Sequence, residues 1–85
     1  MKYFKSAIEG DGSIQNPVRP VVSNLLSGFT WAAQIIGTDA YVAVEADATT
    51  YAAVLAVATE LTAAEVTAAL QAQDPTADAS HLSVG

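Results

Sequence analysis

Eighty-five residues with a net charge of −6, 52% hydrophobic and only 14% charged side chains, describe one small domain that buries roughly 60–65% of its unfolded surface. The excess of carboxylates excludes nucleic acid and anionic membrane surfaces as partners, because both are held through Lys and Arg. There is no cysteine and one His, so neither a disulfide nor a thiolate zinc site is expected.

Lys2, Lys5 and Arg19 are the only Lys and Arg residues, and the 66 residues from Pro20 to Gly85 carry seven acids. A surface this poor in charge must be finished with Ala, Thr, Ser and Gln, and some of its apolar area is expected to be covered by another molecule. No apolar run approaches the roughly 18–20 residues of a membrane span. The segment MKYFKSAIEGDG has no apolar h-region, so no secretory leader is expected.

The chain opens with a predicted strand over residues 2–9, Phe4 and Ile8 on one face, Tyr3, Lys5 and Glu9 on the other. Gly10-Asp11-Gly12-Ser13 ends it with turn residues. Asn16-Pro17 reads as a helix start, Asn as N-cap and Pro at the first helical position. Val18, Val21, Val22, Leu25 and Leu26 then form a stripe at helical spacing, which predicts a helix over 17–27 stopped by Gly28.

Alternation in FTWAAQII and AYVAVEA predicts strands over 29–36 and 40–46, joined by the hairpin-length loop Gly37-Thr38-Asp39. Asp47 is a candidate N-cap for a helix over 48–57 carrying Tyr51, Val54 and Leu55. Residues 59–61 are a candidate edge strand. Thr62-Ala63-Ala64-Glu65 matches a capping box and begins a helix over 63–73, which Asp74-Pro75 ends.

The expected order is β-α-β-β-α-(β)-α. It predicts an α+β, ferredoxin-like sandwich: a split βαβ with two helices on one sheet face and an extra C-terminal helix. The domain is expected to span 1–74, with 75–85 an extended C-terminal tail.

Glu9 to Ser13 lacks the alternating ligands and distant bidentate Glu of a calcium loop, so a turn is expected. His81, near Ser80, Ser83 and Asp78, lies in the tail, where nothing would hold a catalytic constellation in place. Glu45, Asp47, Glu60 and Glu65 are read as caps and solvated carboxylates. No catalytic residue, cofactor, metal or small-molecule substrate is therefore expected.

The remaining cluster is aromatic and aliphatic: Trp31, Phe29, Tyr41 and Ile36. With both helices on one face, the other sheet face would stand open, which makes Trp31, Ile36 and Tyr41 a candidate protein-contact surface. The tail has no periodicity and would gain order only from contacts outside its own core. Leu82 and Val84 are its candidate anchors in a partner.

In its Ala-, Thr- and Val-rich composition, its scarce charge and its lack of catalytic motifs, the chain resembles the small accessory virion proteins of tailed phages, the decoration, cement and connector components. The resemblance implies a non-catalytic subunit of a large symmetric assembly, bracing capsid or tail subunits in a virion. Its partner would be a larger capsid- or tail-type subunit or copies of itself. An alternative is a regulatory or inhibitory module resembling subtilisin propeptides, which present an open sheet and thread a C-terminal tail into a protease. Outside a virion, the chain would be cytoplasmic.

Overall fold

β1 (Lys2–Glu9) is the spine of the sheet. The structure, a computed structural model, describes residues 1–77 and Leu82. Along one edge β1 pairs with β4 (Asp39–Glu45), from Lys2 opposite Val44 to Ala7 opposite Asp39. Its other edge is shared. β5 (Ala58–Leu61) takes Tyr3 to Ser6, and the two-residue β2 (Arg19–Pro20) takes Ile8 and Glu9. β3 (Thr30–Ile36) adds outside β4, from Thr30 opposite Glu45 to Ile36 opposite Asp39.

Among the described residues all pairings are antiparallel, and β3 pairs on one side only. The sheet curls enough to bring β2 close to β3 and β4 across its concave side. Gly37 and Thr38 form a two-residue hairpin loop between β3 and β4. Gly37 has φ 64°, the positive angle that such a loop asks of its first residue and that glycine adopts without a Cβ penalty.

The two later helices begin where capping chemistry places them. α1 (Ala48–Leu55) is capped by Asp47, whose Oδ1 accepts from the Thr50 amide at 2.7 Å. α2 (Ala63–Gln71) has a complete capping box. Thr62 N–H donates to Glu65 Oε1 at 2.9 Å, and Glu65 N–H to Thr62 Oγ1 at 3.1 Å.

The helix expected over 17–27 does not form. Arg19–Pro20 is a short strand, and Val21–Leu25 is a 3₁₀ helix entered from Pro20 at φ −62°, ψ 140° with no side-chain cap. The reason is steric: each proline pushes the residue before it out of helical space, and two prolines three apart leave Arg19 extended. Only the five residues after Pro20 can coil, in the tighter form used for short pieces. Asn16 instead closes the preceding loop, its carbonyl accepting from the Asp11 and Gly12 amides at 3.1 and 3.2 Å.

The helices do not share a face. Phe4, Ala40, Val42 and Val44 from one sheet face form a core with Val22, Leu26 and Val54, so the 3₁₀ helix and α1 cover that side. On the other face Ala43 joins Val66 and Leu70 of α2, with Tyr3, Ile36, Tyr41 and Leu61 packed around them. The strands supply apolar groups on both faces, and α2 brings its own stripe, Val66 and Leu70 at i and i+4, to bury there. The result is a small α+β sandwich with a curled antiparallel sheet between helical layers.

The chain beyond α2 turns back onto this second core. Asp74 Oδ1 accepts from the Thr76 amide at 3.0 Å, and Ala77 N–H donates to the Asp74 carbonyl at 2.9 Å. Ala77 and Leu82 are 7% and 2% exposed among α2 residues, so Leu82 serves the domain's own core. Val84, His81, Asp78, Ser80 and Ser83 lie outside the described residues.

Candidate interaction surface

Alternation along β3 separates residues that the sequence grouped. Trp31 lies opposite Val44 and packs, half-buried, on the first core. Ile36 and Tyr41 lie on the opposite face, half-buried beside α2. Trp31 and Ile36 are therefore on different faces, and α2 packs on the one that holds Ile36 and Tyr41, where Lys5, Ala7 and Gln34 stay exposed. Leu82 is withdrawn from solvent.

An uncharged stretch that remains accessible on the sheet is the rim of β3. Ala33, Gln34 and Ile35 are exposed, Ile35 by 40%. The segment TWAAQII has no charged residue and no proline. Edge strands are ordinarily guarded by charge, proline or brevity, because an unpaired row of amides and carbonyls invites another strand. The opposite rim follows that rule. β5 presents Glu60, ion-paired with Lys2 at 3.7 Å, and β2 brings Pro20 and Arg19, whose Nε lies 3.2 Å from Glu9 Oε1.

A second apolar area lies along α1. The helix ATTYAAVL has no charged residue, Ala52, Ala53 and Leu55 face solvent, and Val57 follows exposed. Tyr51 is turned inward. Its hydroxyl accepts from the Ala46 amide at 3.0 Å and lies 3.3 Å from the Val44 carbonyl, while Lys2 Nζ sits 5.0 Å from its ring centre.

The third feature is Ile14, fully exposed at the apex of the loop between β1 and β2. The loop is held by its own bonds. Asp11 Oδ1 accepts from the Ser13 amide at 2.9 Å, Ser13 Oγ from the Asn16 amide at 3.0 Å, and Arg19 Nη1 donates to Asn16 Oδ1 and the Pro17 carbonyl. The Ser13 amide and hydroxyl beside Asp11 hold its carboxyl below the usual carboxylate range, and the Thr50 amide and hydroxyl do the same for Asp47. These are the shifts of turn and cap carboxylates.

Among the described residues no pocket opens, and no three acidic or His side chains gather as metal ligands. Among those residues no helix is long and apolar enough to cross a membrane. The chain exposes 4842 Å², close to the roughly 4700 Å² expected of a folded monomer of its mass. The accessible apolar features described are local patches: the β3 rim, the outer side of α1 and Ile14. The β3 rim was not legible as an edge, because alternation reports faces and not neighbours; its missing charge was the available signal. Comparison of the chain with protein-family models, curated protein sequences and solved structures finds no match.

Proposed function

We propose that this chain is a non-catalytic structural subunit of a large symmetric assembly, a minor virion protein that braces capsid or tail subunits through protein contacts. The observation that supports this reading is the uncharged, unguarded rim of β3, with Ile35 exposed and Trp31 half-exposed beside it. A free protein pays for such an edge in aggregation, whereas a protein that lives in an assembly uses it. The charge-free outer side of α1 adds area of the same character.

The fold is read, on the same footing, as a variant of the ferredoxin-like split βαβ. With two-residue β2 set aside, the strands run β5-β1-β4-β3, and the Val21–Leu25 turn stands where a first helix would be. α2 on the second face departs from that plan. The propeptide-like alternative calls for a free sheet face and a free tail, and the packing of α2 and of Leu82 in the second core speaks against it.

The experiment is fractionation. Particles from cells that make the protein are separated by gradient sedimentation, and this chain is quantified by mass spectrometry. Co-migration with a high-mass particle at a fixed copy ratio is expected. Recovery only in low-mass fractions overturns the reading.

A further inference from the structure

We infer that the open edge of β3 pairs with β3 of a second copy, antiparallel about a two-fold axis at Ala33, joining two sheets into one. The inference deepens the proposed structural role by naming the partner of the same rim. Three observations carry it.

The first is backbone direction. The two-residue loop makes Ile36 and Asp39 a hydrogen-bonded pair, and such pairs alternate along an antiparallel ladder. Thr30, Ala32, Gln34 and Ile36 thus spend their backbone groups on β4, while Trp31, Ala33 and Ile35 aim theirs at the open edge. A two-fold at Ala33 sets Ala33 against Ala33 and Trp31 against Ile35 of the other copy, so every outward group meets an outward group. It is also the one centre that pairs all seven residues of β3.

The second is side-chain fit. Trp31, Ala33 and Ile35 share a sheet face, so this register lays the exposed Ile35 of each copy against the half-exposed Trp31 of the other. Aromatic and β-branched residues directly opposite each other are among the favourable cross-strand pairs. Isologous contacts of this kind close on themselves and do not propagate.

The third is charge. Each copy carries −6, so association is tolerable only where the acids stand apart. β3 has no charge, and the nearest sheet carboxylates are Glu45 and Asp39 at the ends of β4. Across the joint, Glu45 of one copy and Asp39 of the other are separated by three strand spacings, about 14 Å. That exceeds the Debye length of about 8 Å at physiological salt. The other rim, with Glu60 and Glu9, offers no such neutral face.

The test is sedimentation equilibrium of the full chain from about 10 µM to about 1 mM, with circular dichroism as the folding control. The wild type is expected to dimerise. Ala33→Lys and Ala33→Glu each place like charges opposite at the axis and are expected to weaken the dimer about fivefold or more. An equimolar mixture of the two is expected to restore it as a heterodimer, which misfolded variants would not do. Ala33→Pro removes an amide that faces the open edge and is expected to abolish the dimer while sparing the β3–β4 ladder. A wild type that stays monomeric overturns the inference, as do charged variants that dimerise like the wild type or a mixture that fails to rescue. A monomer in solution that still co-migrates with a high-mass particle overturns the two-fold pairing and leaves the structural role standing.

Discussion

The Pro17 carbonyl lies directly against Gly10, so that any Cβ built on Gly10 collides with its oxygen and carbon. Gly10 also has φ 100°, a conformation that side chains rarely adopt. The close approach lets the chain reverse between β1 and β2 and lets Asn16 reach back to the Asp11 and Gly12 amides. Gly10→Ala must therefore move backbone, not a flexible side chain. Its expected cost is roughly 2 kcal/mol, about 8–16 °C in Tm for a domain of this size. Thermal unfolding followed by circular dichroism measures it. A shift below a couple of degrees would show that the loop relaxes freely.

Tyr51 ties α1 to the end of β4 through its hydroxyl, which accepts from the Ala46 amide and reaches the Val44 carbonyl. Its ring also lies 6.3 Å from that of the buried Phe4. Tyr51→Phe keeps the ring and leaves the Ala46 amide without that acceptor. The expected loss is about 1–2 kcal/mol, read as a lower urea midpoint with unchanged slope. Tyr51→Leu should cost more, since the ring contact goes as well.

The parts of this fold visible in the sequence are those written in short range. Asp47 and the Thr62–Glu65 box announce their helices because capping is a matter of three residues. The β3–β4 hairpin follows from alternation around Gly37. The helix expected at 17–27 fails at Pro20, where the apolar stripe suggested coiling and proline sterics prevented it. The face taken by α2 was hidden for a different reason. Val66 and Leu70 show that the helix has a buried side, but the crossover from β5 decides which sheet face receives it, and that is a long-range choice. Trp31 and Ile36 were grouped by apolarity although their spacing of five places them on opposite faces.

The depressed carboxyls of Asp11 and Asp47 make part of the stability acid-sensitive. A carboxyl whose folded value lies below its unfolded value, about 3.9 for Asp, contributes stability that is fully present above the unfolded value. That contribution is lost as pH falls through the folded value. Asp47→Asn retains a competent cap but does not titrate. The Tm difference between wild type and Asp47→Asn should therefore be constant from neutrality to about pH 5 and shift against the wild type below about pH 4. Parallel Tm curves down to pH 2 would show that the cap bond does not favour the charged form.

Leu82 decides whether the C-terminal segment belongs to the domain or to a partner. The sequence reading assigns residues 75–85 to an extended tail that gains its order from outward contacts. The structure instead buries Leu82 with Ala43, Val66 and Leu70, reached by the turn at Asp74–Ala77. Burial to 2% exposure means that Leu82→Ala removes apolar contact and leaves a cavity, together worth about 2–4 kcal/mol. Leu70→Ala in the same cluster should cost a similar amount. The double variant should cost less than the sum of the two, because neighbours lining one cavity are coupled. Chemical denaturation of the isolated monomer, below any concentration at which it associates, measures all three. Deletion of 75–85 should then destabilise at least as much as Leu82→Ala. If instead Leu82→Ala unfolds at the wild-type urea midpoint while Leu70→Ala does not, Leu82 contributes nothing to this core and the segment is free to dock elsewhere.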